Sequence, residues 1–229
     1  MTRLDAALAA RGLARSRTHA ATLIAGGLVS IDGRPVVKAS TPVADTAEIT
    51  VAGADHYVGR GAHKLIAALD GFGISADGRL ALDMGASTGG FTQVLRERGA
   101  RRVLAVDVGH DQMAAAVASD TGVVVVEGYN VRHMTPGNLH EVTGEADAPD
   151  LIVGDLSFIS LEHVLPAVAG VAAAGADIVL LVKPQFEVGR TAVRGGLVTD
   201  PATRADAVAR TAWSAWDAGL GMLGILPSP

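Results

Sequence analysis

Leu80-Ala81-Leu82-Asp83-Met84-Gly85-Ala86-Ser87-Thr88-Gly89-Gly90-Phe91-Thr92 decides the fold. It reads as an apolar strand, a glycine-rich turn and the start of a helix, the opening unit of a nucleotide-cofactor site. A second apolar strand ends on Asp107, 24 residues after Asp83. Two later apolar strands end on Asp155 and Lys183, so the chain sets polar residues where an open parallel sheet gathers its chemistry.

Working outward, apolar strands at 80–83, 103–107, 123–127, 151–155 and 178–183 alternate with helical stretches. That alternation specifies an α/β domain with a mostly parallel sheet covered on both faces. A helix is expected over 63–69, ending at Gly71, and another from Pro201 to about Gly219, with Met222 to Leu226 as one more strand. Upstream, Leu4 and Leu8 precede Gly12, and Ser16 caps a second short helix carrying Ala20, Leu23 and Ile24 before Gly26-Gly27. Strands at 28–31 and 36–37 flank Asp32-Gly33-Arg34-Pro35, a hairpin signal, and a third covers 48–51. The expected division is a small α+β module over 1–56, a joint over 57–63 and a large domain over 64–229.

The chain of 229 residues is 49% hydrophobic and 19% charged, enough for one full α/β core and a small appended module. With no cysteine there is no disulfide, thiolate metal site or cysteine nucleophile, which suits a reducing cytoplasm. No signal-like leader and no long uncharged stretch is present, so the expectation is a soluble protein without a membrane span. Net charge is −5, yet Arg3, Arg11, Arg15 and Arg17 face only Asp5 in the first seventeen residues, a local footprint for a polyanion or simply a solvated face.

In the turn, Gly85, Gly89 and Gly90 let the backbone approach a ligand, and Asp107 can accept both hydroxyls of a ribose. The spacing is not the dinucleotide fingerprint, and Asp83 would repel a pyrophosphate while suiting a sulfonium and an ammonium, so S-adenosylmethionine fits better than NAD. Gly85-Ala86-Ser87-Thr88-Gly89 also matches a hydrolase nucleophile elbow, but the last histidine, His163, follows Asp155 within one crossover and no oxyanion-type glycine run precedes the turn. Ser87 reads better as a turn residue touching cofactor or backbone.

The first 56 residues resemble an S4 RNA-binding domain through Arg3-Leu4-Asp5, Gly12-Leu13-Ala14-Arg15-Ser16-Arg17, Ala20, Leu23-Ile24, Gly27, Val29 and Asp32-Gly33. The remaining motifs are Gly59-Arg60-Gly61-Ala62-His63-Lys64-Leu65, the turn from Asp83 to Thr92, and Val106-Asp107-Val108-Gly109. With them go Gly154-Asp155-Leu156-Ser157-Phe158-Ile159-Ser160, Lys183-Pro184-Gln185-Phe186-Glu187 and Gly195-Gly196-Leu197-Val198. Together they resemble the TlyA family of hemolysin-A-like proteins, in which an S4 domain is fused to an FtsJ-like, Rossmann-like class I methyltransferase.

That resemblance implies ribose 2′-O-methylation of cytidines in 16S and 23S ribosomal RNA from S-adenosylmethionine, with ribosomal subunits as partners and no metal. It assigns Lys64, Asp155 and Lys183 to catalysis. Asp83, Gly85, Ser87, Gly89, Gly90, Phe91, Asp107 and Asn130 fall to the cofactor, Asn130 contacting the adenine. Arg3, Arg15 and Arg17 would hold phosphates, and Phe158 would either stack on a base or lie in the core. A 2′-hydroxyl must lose its proton during attack, and Lys183 is the candidate base, or, if it stays charged, a stabiliser of the developing oxyanion. The family's fourth catalytic residue, a glutamate on a further antiparallel strand, has no counterpart here, and Glu187 is not it because it sits in the loop after Lys183. The expectation is therefore a chain that stops short of that strand, with reduced activity and an exposed sheet edge. An RNA-binding or assembly factor with an incomplete site, and a membrane-active hemolysin, are the alternatives.

Overall fold

The computed structural model describes residues 2–14, 16–51, 56–189, 193 and 195–229, and the chain divides into two compact units, 1–56 and 57–229. In the first, β1 (Thr2–Arg3) leads into α1 (Leu4–Ala10) and α2 (Arg17–Ala25), followed by β2 (Val29–Ile31), β3 (Arg34–Pro35), β4 (Pro42–Val43) and β5 (Ile49–Val51). Ser16 caps α2 by accepting a hydrogen bond from the His19 amide at 3.2 Å. Asp32 and Gly33 both have positive φ, +47° and +76°, the conformation of a two-residue I′ turn. The turn pairs Ile31 directly with Arg34, so the return strand begins two residues earlier than the expected 36–37. Leu4, Leu8, Ile24, Val29 and Val43 close the core of this unit.

In the second unit α3 (Ala62–Phe72) precedes β6 (Leu80–Met84), α4 (Gly90–Glu97), β7 (Arg102–Val106), α5 (Ala115–Ala118), β8 (Val123–Val126) and α6 (Pro136–Thr143). Then come β9 (Leu151–Gly154), α7 (Leu165–Val171), β10 (Asp177–Leu180), α8 (Pro184–Glu187) and α9 (Pro201–Asp217). The sheet order is β10-β9-β6-β7-β8 and every pairing in it is parallel. Strand order reverses between β6 and β9, the place where open α/β sheets bind ligands.

Alternation along the strands feeds two cores. Ala81, Val103, Leu151 and Val153 face α3 and α4, where Leu65, Leu69, Val94 and Leu95 cover them. Leu80, Leu82, Met84, Leu104 and Ile152 face the other way, against Val164, Val168 and Val171. Tyr57 packs against the first of these cores, and the Val58 amide donates to Gln93 Oε1 at 2.9 Å, so the stretch ahead of α3 lies with the large unit.

The expected strand over Met222 to Leu226 does not form. Residues 220–229 carry no regular structure, Gly221 and Gly224 interrupt the run, and Met222, Leu223 and Ile225 are exposed. The strand expected to reach Lys183 ends at Leu180, because its partner β9 ends at Gly154, whose carbonyl takes the last ladder bond from the Leu181 amide; Pro184 then opens α8.

Candidate active site

Three chain segments meet at the carboxyl end of the sheet. Lys64 lies in the first turn of α3, Asp155 directly follows β9, and Lys183 caps the start of α8. Asp155 is the centre: Lys64 Nζ donates to its Oδ2 at 3.0 Å, and Lys183 Nζ lies 2.7 Å from Oδ1. Lys183 Nζ also donates to Ser157 Oγ at 2.7 Å and to the Asp155 carbonyl at 3.4 Å. Partial burial pushes the Asp155 carboxyl up, but hydrogen bonds and charge from Lys183 and Lys64 outweigh it and hold the group below the ordinary carboxylate value. The centre is thus a carboxylate held between two lysine side chains that favour its ionised form.

Beside it lies the glycine turn. Gly85 has φ +79°, and a Cβ there would meet the Asp155 carbonyl and the Leu156 side chain, both at 3.2 Å. Gly89, at φ +95°, would place a Cβ 2.5 Å from Met113 Sδ. Ser87 takes φ +47°; its amide donates to Asp107 Oδ2 at 2.8 Å, while Asp107 Oδ1 accepts from the Gly109 amide at 2.8 Å. The acid at the end of β7 therefore holds the turn and the following loop in register. The Ser87 hydroxyl donates to Gln112 Oε1 at 3.1 Å, a partner without basic character, which leaves the nucleophile-elbow reading without its histidine. Glu127 fixes the same loop by accepting from the Asp111 and Gln112 amides, and those bonds depress its carboxyl.

Two residues expected at the cofactor, Asp83 and Phe91, are buried in the core. Asp83 is fully buried, accepting from Thr92 Oγ1 at 2.6 Å, and its other oxygen has no partner. Desolvation raises this carboxyl to about 7. Phe91 is buried too, in the core shared with α3, its ring 3.5 Å from where a Gly61 Cβ would stand. Asn130 is exposed and caps a 3₁₀ turn over Val131–His133 by accepting from the Arg132 amide. Phe158 is not a core residue: it is 92% exposed, at φ +65°, with its ring centroid 5.2 Å from that of Phe186.

The turn is closely packed: Gly85 lies against the Asp155 backbone and Leu156, and Asp107 and Glu127 place two carboxylates beside it, which favours positive charge there. Among the described residues no group of acids and histidines is placed to hold a metal ion.

Away from the sheet, Arg3 and Arg17 are largely exposed, but both are tied to Asp5, Arg3 Nε at 3.0 Å and Arg17 Nη2 at 3.0 Å. Arg15 lies outside the described residues. Arg11 bonds the carbonyls of Ala44, Asp45 and Ala47, so it closes the fold of the unit.

Sequence reasoning assigned no role to Ser157, Gln112 or Thr92. Ser157 and Thr92 lie inside motifs quoted for their neighbours and Gln112 lies three residues past one, so only a side-chain contact reveals them.

The model of the FtsJ-like methyltransferase family matches residues 57–229 and that of the S4 domain matches 2–49. The 16S/23S rRNA (cytidine-2′-O)-methyltransferase TlyA of Mycobacterium tuberculosis is 51% identical, over 99% of this chain and 84% of its own length. Hemolysin A of Brachyspira hyodysenteriae is 36% identical over 88% of this chain and 82% of its own. A solved structure described as a hemolysin, from Streptococcus thermophilus, superposes with a TM-score of 0.72 at 35% identity, covering 97% of this chain and 80% of that one. The chain therefore belongs to the TlyA family, with an S4 domain followed by an FtsJ-like methyltransferase domain.

Proposed function

We propose that the protein methylates ribose 2′-hydroxyls of cytidines in ribosomal RNA, in both 16S and 23S, using S-adenosylmethionine. The observation that carries this reading is the Lys64–Asp155–Lys183 cluster beside the glycine turn that Asp107 holds, together with likeness to an enzyme of that activity. When bound, S-adenosylmethionine supplies a methyl group on a positively charged sulfur. Gly85, Ser87, Gly89, Gly90 and Asp107 would hold it, with Asn130 at the adenine, the buried Asp83 bracing the start of α4 through Thr92, and Phe91 packed in the core behind α3.

Only RNA offers a 2′-hydroxyl, and a nucleotide must leave its stack to reach a strand-end pocket. Phe158, exposed on the loop after β9, gives the extruded base a surface on which to stack. Arg3, Arg15 and Arg17 of the S4 domain would anchor phosphates. The enzyme would act in the cytoplasm, on ribosomal subunits.

As the new C–O bond forms, the hydroxyl proton must go to a base, and Lys183 is our candidate. Its contacts with Asp155 and Ser157 favour a second role, in which the ammonium keeps its proton and stabilises the developing oxygen anion while the hydroxyl proton passes to solvent water. Single-turnover methylation by Lys183→Arg and Lys183→Ala separates the two, because arginine keeps the charge and cannot act as a base. Base catalysis predicts that both variants lose about 10²–10⁴-fold in rate. Substantial activity in Lys183→Arg alone would establish the electrostatic role instead.

Relatives named hemolysin raise membrane activity as a rival. No helix among the described residues is long and apolar enough to cross a membrane, and we expect no dye release from liposomes.

A further inference from the structure

Glu187 takes no part in the cluster described above, yet it makes the contacts that join its two loops. Its Oε2 accepts the Ser160 hydroxyl at 2.6 Å, and both its oxygens accept the Leu161 amide, at 3.1 and 3.2 Å. Its own carbonyl accepts from Arg210 Nη2 at 2.8 Å, which fastens the end of α8 to α9. Ser160 and Leu161 stand at the far end of the loop that begins with Asp155, and Glu187 stands one turn after Lys183. Within that loop Leu156 and Ile159 are drawn into the core, leaving Ser157 and Phe158 outward.

We infer that Glu187 is a positioning residue for methyl transfer: its carboxylate clamps the Asp155–Leu161 loop to α8 and so holds Ser157 Oγ and Asp155 against the Lys183 amine. This rests on the methyltransferase reading of the cluster. The physical ground is that Lys183 meets its partners only across the gap between two connecting loops. Among the described residues, and apart from the Lys183 contacts themselves, the polar ties across that gap are those of Glu187, with the Phe158–Phe186 ring contact beside them. A loop freed at one end lets the reacting groups drift, and displacements of an ångström are costly in rate.

The test compares Glu187→Ala, Glu187→Gln and Glu187→Asp with the wild type, in methyl transfer to ribosomal subunits at varied S-adenosylmethionine. The clamp needs an acceptor at the glutamate's reach rather than a charge. Glu187→Gln keeps one acceptor oxygen there, and Glu187→Asp is a methylene too short. We expect Glu187→Ala and Glu187→Asp to lose about ten- to a hundredfold in kcat with KM unchanged, and Glu187→Gln to stay within about threefold of wild type. Hydrogen exchange at the Leu161 amide, which needs no substrate, should quicken in Glu187→Ala while the thermal midpoint holds. Unchanged Leu161 exchange, or wild-type kcat in Glu187→Ala, overturns the inference. So does an equal loss in Ala and Gln variants with a raised KM, which would mean that the carboxylate touches substrate. No transfer by the wild type in the same assay overturns the reading of the cluster itself, and the inference with it.

Discussion

Asp83 shows how burial decides what a side chain does. As a residue after an apolar strand it looked like a partner for a cationic cofactor, but period-2 alternation turns it toward α3 and α4 with Ala81, and there it has only Thr92. Its folded pKa, about 7, exceeds the unfolded carboxylate value, so between roughly pH 4 and 7 the folded state holds a proton that the unfolded state has lost. Stability from this group is therefore greatest at low pH and falls by about 1.4 kcal/mol per pH unit across that window, then levels. Asp83→Asn, which never ionises, removes that fall. In urea titrations at pH 5 and pH 8, its stability relative to wild type should rise with pH, and a constant difference would contradict the placement. Asp155 is the opposite case, an acid at a strand end whose two lysines keep it ionised. Its position and those of Lys64 and Lys183 could be read from strand ends and a family resemblance. Ser157 and Glu187 could not, because a serine in a loop and an acid on a short helix carry no periodic signal until their partners are seen.

The glycine turn and its neighbouring strands make the sharpest claims at the scale of elements. Strands β6, β7 and β9 were legible because apolar runs of four or five residues bounded by turns leave few alternatives. Their ends were less so: Lys183 lies three residues past β10. Met222 to Leu226 has the composition of a strand and none of its pairing, since composition reports apolarity and not the presence of a neighbour. Leu82, fully buried in β6, should cost about 2–5 kcal/mol when replaced by alanine, read as a shift in the denaturation midpoint. Gly89→Ala meets both an unfavourable φ and Met113 Sδ, so we expect weaker S-adenosylmethionine binding by calorimetry with the fold retained by circular dichroism. Unchanged affinity would place the cofactor elsewhere.

Over the whole molecule, the small unit and the large one divide RNA binding from chemistry in our account. The net charge of −5 hides that division, and so does the motif reading of the arginines, because Asp5 already engages Arg3 and Arg17. Release of those pairs to phosphates predicts affinity for ribosomal subunits that falls steeply with salt. Arg3→Ala and Arg17→Ala should each lower the log–log salt slope by about one, measured by filter binding. An unaltered slope would leave these arginines as supports of the fold around Asp5. The central claim, that the strand-end cluster methylates ribose in ribosomal RNA, is tested most directly by transfer of radiolabelled methyl from S-adenosylmethionine to purified 30S and 50S subunits. The account predicts label on the ribose of cytidines with the wild type and none with Lys183→Ala; label on a base, or equal label from both proteins, would contradict it.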